Sequence, residues 1–283
     1  MTTTVTITGS GCPIPDAERA GPGVLVEVDG LRMQFDVGRS TVQRLAGAGI
    51  DRAQIDAVFA THHHSDHLVG LQDLVLTRWV MARGDVQDPL PIVVPAGPAE
   101  DFVNEMLGPW RHDLEVRAAH ANRTDEIALD VVAFDVPETP TEVWRRGEVA
   151  VIAGQVRHEP VHPAVGYRVE SPDGVVAITG DTLVCDEVAE LAAGADVLVY
   201  EAMRFEVIEQ RPPHLQFILD YHADTRLIGA QAAELGIPVL VLTHLIPAPN
   251  DPETLNDYVR DIRDAGFEGE LVVADDLDHV VLG

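Results

Sequence analysis

The stretch Thr61-His62-His63-His64-Ser65-Asp66-His67 gathers groups that can bind a metal, in the order His-x-His-x-Asp-His. Neutral imidazole and carboxylate suit zinc first, with manganese or iron as other ions of the same preference. An extended chain turns alternate side chains to one side, so His62 and His64 would grip one ion together, and His63 would face away. Asp66 and His67 are adjacent and follow the start of a turn. That places them to reach a second ion or the far side of the first. One tetrahedral ion needs only four ligands, so candidates elsewhere argue for two ions. The tract is internal, includes an Asp and follows the apolar run Ala57-Val58-Phe59-Ala60, which separates it from a chance His-rich loop or a tag.

Later candidates supply those ligands. Between Val156 and Pro163, His158 and His162 compete for one role. Gly180-Asp181-Thr182 ends one apolar strand pattern, and Thr243-His244 follows another. Tyr221-His222-Ala223-Asp224 precedes a predicted helix. Each is weak alone, because a polar residue after a strand is often a cap or a turn. Their shared position adds weight: Asp66, Asp181 and His244 all fall where a buried strand ends, so they would meet at one edge of the fold. Cys12 and Cys185 are too few for a disulfide framework and read as buried thiols. Cys185 lies near Asp181 in sequence and keeps a weak metal role open.

The elements that must position these residues follow from patterning. Strands are expected over 4–7, 23–28 and 31–36, with Asp29-Gly30 as the turn between the last two. Others are expected over 91–94, 127–134, 148–155, 164–170, 175–179, 197–200, 239–243, 271–274 and 279–282. Helices are expected over 40–48, 69–83, 98–107, 225–235 and 252–265, with a short one ending at 193. Strands in both halves with helices between them predict two sheets packed face to face, helices outside: an α/β, four-layer αββα sandwich. Nothing linker-like interrupts the chain, so 1–283 reads as a single domain, with a lid over 203–220 around Pro212-Pro213. Arg204 and Arg211 in that lid could meet an anionic group.

Composition narrows the partners. Hydrophobic residues make up 46% of the 283, enough for an ordinary core. Net charge is −28, and all 19 basic residues are Arg. A nucleic-acid-binding surface usually shows a basic stripe, since neutralised phosphates supply most of the affinity, and none is visible here. No run is long enough to span a membrane, and the first residues lack a secretory signal pattern, so the expected compartment is the cytoplasm.

The motif Thr61-His62-x-His64-x-Asp66-His67 resembles the metallo-β-lactamase superfamily, over nearly the whole chain. Within it, Gly9-Ser10-Gly11-x-Pro13-x-Pro15, Pro163-Ala164-Val165-Gly166-Tyr167-Arg168, Gly180-Asp181-Thr182 and the His222 segment are similar to the ribonuclease Z and arylsulfatase-like branch. The resemblance implies one zinc on His62, His64 and His158, a second on Asp66, His67 and His244, and Asp181 bridging the two. It favours His158 over His162. It gives His222 the role of protonating the leaving group, with Glu201 as its acidic partner, and it implies a homodimer.

Two such ions, about 3.5–4 Å apart, clamp the attacking and leaving oxygens, and a hydroxide bridging them is the nucleophile. Asp66 would orient that water and take its proton. The leading expectation is hydrolysis of phosphodiester or sulfate ester bonds in small anionic substrates. Ribonuclease Z, the endonuclease that cuts the 3′ extension from precursor tRNA, stands second, because of the net charge and because the segment over 129–159, where a tRNA-gripping arm would lie, is short and carries few basic residues. Lactone or β-lactam hydrolysis on the same metals stands third. A non-catalytic binding protein on this fold stands last, because the ligand set is complete.

Overall fold

The computed structural model describes residues 2–51, 54–82 and 88–283. Its first sheet contains β1 (Thr3–Gly9), β2 (Gly23–Val28), β3 (Leu31–Phe35), β4 (Ala57–Phe59), β5 (Leu90–Pro95) and β6 (Leu129–Phe134). The second contains β7 (Thr141–Arg146), β8 (Val149–Gln155), β9 (Val165–Ser171), β10 (Gly174–Ile178), β11 (Val197–Met203), β12 (Val239–Ile246) and β13 (Glu270–Val273). The last strand, β14 (His279–Leu282), returns to the outer edge of the first sheet beside β1. Asp29 and Gly30 both take positive φ, 48° and 85°, the conformation a two-residue hairpin turn between β2 and β3 demands.

Three apolar clusters fill the spaces between four layers. The central one packs Phe35, Phe59, Tyr167 and a set of β-branched residues between the sheets. Over the first sheet, Leu45, Leu71, Leu74 and Val103 come from α1 (Thr41–Gly47), α3 (Leu71–Met81) and α4 (Pro98–Glu105), with α2 (Ser65–Leu68) between the first two. After α5 (Arg111–Ala121), the helices α6 (Asp186–Ala192), α8 (Thr225–Glu234) and α9 (Pro252–Asp264) cover the second sheet through Leu198, Leu240, Ile228 and Ile262. The short α7 (Phe205–Glu209) lies between β11 and α8. This is the αββα sandwich that the patterning predicts.

The site depends on one property of this topology. β3 through β6 run parallel, and so do β10 through β13. Carboxyl ends of parallel strands are where ligands collect in such sheets. Here the carboxyl ends of both parallel sets open at one edge.

Departures from the expected elements are local. The helix expected over 69–83 is α3, and a separate one-turn helix, α2, lies before it inside the His motif; the end of the expected span, from Arg83, lies outside the described residues. α5 was not expected, because its apolar residues form no stripe and none of its residues is buried. β7 escapes notice because it is an edge strand with Glu142, Arg145 and Arg146 exposed and a register shift against β8. Expected ends at Tyr200 and Thr243 fall short of β11 and β12, which continue through polar residues that point into the site.

Phe59, the last residue of β4, is wholly buried. It stacks on Phe35 at 4.7 Å and meets Trp144 and Tyr167 at 5.6 Å. Phe59→Ala is expected to lower unfolding stability by about 3–5 kcal/mol, measured by denaturant titration.

Candidate metal centre

The His motif is fixed to both sheets before any side chain is considered. Asp36, just past β3, takes φ 52° and donates its N–H to the Phe59 carbonyl at 2.8 Å. Its Oδ1 accepts from the Thr61 N–H and its Oδ2 from the Thr61 hydroxyl, both at 2.8 Å. Across the sandwich, the Val165 N–H donates to the Thr61 carbonyl at 3.0 Å, and His62 bridges Ala164. Gly180 must be glycine: its φ is 63°, and a Cβ there would lie 2.8 Å from that of Thr61. The one-turn helix α2 then buries Asp66 and His67 together.

His244 arrives differently from the expected residue after a strand. It lies within β12 with φ 48°, where the pairing with β11 shifts register. A bulge of this kind re-aims one side chain without ending the strand. The glycine-rich turn after β1 supports it, since the Leu245 N–H donates to the Ser10 carbonyl at 3.1 Å.

The side chains so placed converge. His62, His64, His158 and Asp181 offer ligand atoms lying within 4.8 Å of one another, as do Asp66, His67 and His244. Asp181 joins the two groups: one oxygen is 3.4 Å from His67 Nε2, and the other is 3.5 Å from His244 Nε2, 3.8 Å from His158 Nε2 and 3.9 Å from His62 Nε2. Asp66 Oδ2 is 3.5 Å from His244 Nε2 and 3.6 Å from His67 Nε2. His62 Nε2, His67 Nε2, His244 Nε2, Asp66 Oδ2 and Asp181 Oδ1 are all buried without a hydrogen-bond partner. Buried polar atoms rarely go unpaired, and five facing inward at one point fit divalent cations. The donors are imidazole nitrogens and carboxylate oxygens, as zinc and its neighbours prefer.

The rings are oriented from behind. His67 donates through Nδ1 to Asp36 Oδ2 at 2.7 Å, and His158 donates through Nδ1 to the Tyr221 carbonyl at 2.9 Å, which turns each Nε2 into the site. This is the outer support that metal-ligating imidazoles need. Asp36, which no motif marks, is the carboxylate behind both Thr61 and His67. It, too, directly follows a buried strand, the position that drew attention to Asp66, Asp181 and His244.

Electrostatics agree with a cation. Burial, with help from His67, holds His62 well below the ordinary imidazole range. Burial and the His158 ring lower His64 to about 4, and burial lowers His158 as well. Burial would raise the Asp181 carboxyl, but His244 and His67 outweigh it and keep the carboxyl well below its usual range. Burial opposes a proton on His67, yet Asp181 and Asp36 together push that ring well above its ordinary value. A metal ion would displace that proton, as ligation requires neutral imidazole.

Beside the cluster, His222 and Glu201 form a buried pair. His222 donates through Nδ1 to Glu201 Oε1 at 2.9 Å, and the same oxygen accepts from the N–H groups of Ala223 at 3.0 Å and Thr182 at 3.3 Å. Burial disfavours charge on His222, but Glu201 outweighs it and raises the imidazole to about 9. The Asp224 side chain caps α8 by accepting from the Arg226 and Leu227 N–H groups, which fixes the segment that carries His222. His222 also shares a possible three-ligand grouping with Asp181 and His244.

Of the competing candidates, His158 joins the cluster. His162 is exposed and lines a separate cleft with Gln155 and Pro163. Neither His63 nor Cys185, which belongs to the outer core, enters a ligand grouping among the described residues. Arg204 is not free for an anionic substrate. It is buried, its Nε donating to Asp261 at 2.9 Å and its Nη1 to Asp257 at 2.8 Å, a network that ties the end of β11 to α9.

The description "Beta-lactamase superfamily domain" matches residues 20–245. The chain is 37% identical to the ribonuclease Z of Mycolicibacterium gilvum over 277 residues, 98% of this chain and 95% of the relative. It is 37% identical to that of Mycobacterium bovis over 278 residues, 98% and 97% of the two. Among solved structures, the metallo-β-lactamase fold protein YhfI from Bacillus subtilis superposes with TM-score 0.74 at 21% identity, covering 99% of this chain and 100% of the other. The short form of human tRNase Z superposes with TM-score 0.70 at 21% identity, covering 98% of each chain. These two likenesses support the fold.

Asp36 has a checkable consequence. Asp36→Asn leaves its shape but weakens its hold on His67, and is expected to lower affinity for zinc by about 10–100-fold in a competition titration against a chelating dye.

Proposed function

Because this chain belongs to the ribonuclease Z branch of the beta-lactamase superfamily, we propose that it is a metal-dependent endonuclease that removes the 3′ extension of precursor tRNA. The likeness to mycobacterial ribonuclease Z along 98% of the chain carries this reading. It reverses the order expected from composition, which put small phosphodiesters and sulfate esters first. Net charge describes how a whole protein associates, not what one cleft accepts. The chain works as a single hydrolase domain, and on the resemblance it acts in the cytoplasm as a homodimer. No helix among the described residues is long and apolar enough to cross a membrane.

His62, His64 and His158 would hold one zinc and Asp66, His67 and His244 the other, with Asp181 lying between the two groups. When bound, the ions supply Lewis acidity and lower the pKa of water at the site. Asp66, whose Oδ2 lies in the ligand group, would also orient that water and accept its proton. His222 supplies the opposite transfer. Its Nδ1–H is committed to Glu201, so the Nε2–H faces the site and protonates the oxygen that leaves phosphorus. Glu201 keeps the ring cationic at neutral pH, so that proton is available before the P–O bond breaks.

Zinc-loaded protein should release the trailer from a precursor tRNA at one position, read by sequencing the 3′ end of the product. Turnover of an aryl sulfate without any cleavage of precursor tRNA would overturn the proposal. His222→Ala is expected to lower kcat by about 10²–10⁴-fold with zinc content unchanged; loss of zinc instead would make His222 a ligand.

The active form carries the His222 proton, so kcat should fall as pH rises through about 9. Glu201→Gln removes the charge that raises this value and should move the alkaline limb of the pH–kcat profile toward neutrality. An unmoved limb would assign it to another group.

A further inference from the structure

Resting on the ribonuclease reading above, we infer that Phe217 and Tyr221 form a stacking shelf for the base of the nucleotide whose 3′ oxygen departs. Tyr221 precedes the proton donor in sequence and lies against it: its ring is 4.8 Å from His222 and 5.2 Å from His158. Its carbonyl also holds His158 Nδ1 at 2.9 Å. Phe217 extends the surface outward, with its ring 6.2 Å from that of Tyr221 at 47°. It is 57% exposed, and Tyr221 is half-buried.

The exposure of Phe217 is built into the segment. On either side of the ring, the chain is anchored. Ile218 and Leu219 pack against Met203, Ile208 and Ile246. Gln216 donates through Nε2 to the carbonyls of Glu209 and Arg211, at 2.8 and 2.7 Å. An apolar ring held rigidly out of the core beside a polar reaction centre needs a flat, apolar partner, and a nucleobase presents one. Base–aromatic stacking tolerates sequence, as an enzyme acting on many tRNAs requires.

The position selects the nucleotide. Hydrolysis forms a bond from water to phosphorus and breaks the bond from phosphorus to the 3′ oxygen, which takes the His222 proton. The phosphate stays on the downstream fragment. The shelf flanks His222, so it lies on the side of the departing oxygen, and the base one sugar away belongs to the upstream nucleotide. Charge points the same way. Most arginines described here are already paired with carboxylates, among them Arg19, Arg44, Arg145, Arg157 and Arg226. Phosphate contacts are therefore scarce, and stacking has more of the affinity to provide.

The test uses zinc-loaded enzyme and a precursor tRNA carrying 2-aminopurine at the nucleotide upstream of the cleavage site. Wild-type enzyme should quench its fluorescence on rapid mixing, before cleavage. Phe217→Ala and Phe217→Leu should abolish the quench and raise KM about tenfold, with a smaller change in kcat, and Phe217→Trp should restore both. Leucine keeps the apolar volume without the ring, so it separates stacking from simple contact. A KM within twofold of wild type together with an unchanged quench in the leucine variant would overturn the shelf. Wild-type enzyme that fails to cleave precursor tRNA at all would overturn the ribonuclease reading, and the shelf with it.

Discussion

The structure depends on a set of nitrogen and oxygen atoms that face one another in a buried space with no hydrogen-bond partners. Imidazole nitrogens from His62, His67 and His244 and carboxylate oxygens from Asp66 and Asp181 are buried together without hydrogen-bond partners. Leaving one such group unpaired costs roughly 1–3 kcal/mol, more when it is charged. A fold tolerates several at one point only if something else compensates them, and a cation does so. Much of the surrounding architecture reads as what keeps these atoms aimed. Asp36 holds both Thr61 and His67, the Tyr221 carbonyl holds His158, and a bulge turns His244 inward. Two sheets are needed because the ligands come from both.

The centre was legible early because local chain geometry wrote it down. His62 and His64 alternate on an extended segment and a turn follows at once, so spacing pairs those two and leaves Asp66 and His67 to reach a second ion or the far side of the first. Strand-end positions then marked Asp181 and His244. Asp36 was not legible as part of the site, although its position was similar, since nothing nearby in sequence says that its carboxylate meets an imidazole 31 residues away. Arg204 misled for the opposite reason. A lone Arg next to a proline-rich loop looks like a surface charge, and only tertiary packing brings Asp257 and Asp261 to it from α9. The missed helix α5 and strand β7 lack a buried face, so periodicity had nothing to report.

Charge was the weakest guide to substrate. A net −28 is the excess of 47 acidic over 19 basic residues in the whole chain and does not describe one cleft. The chemistry near His222 is local: a cationic ring held by Glu201, with exposed aromatic surface beside it. A site of that kind can receive a polyanion if metal charge and stacking supply what basic side chains do not. The buried network around Arg204 and Asp261 keeps this region firm, since it joins β11, which carries Glu201, to the start of α8, just beyond His222.

Anomalous diffraction from zinc-soaked crystals tests the convergence of ligands most directly. Two peaks, about 3.5–4 Å apart, are expected on either side of Asp181, one touching His62, His64 and His158 and the other Asp66, His67 and His244. A single peak, or one seated on Asp181, His222 and His244, would contradict the two-ion centre and return His222 to the ligand set.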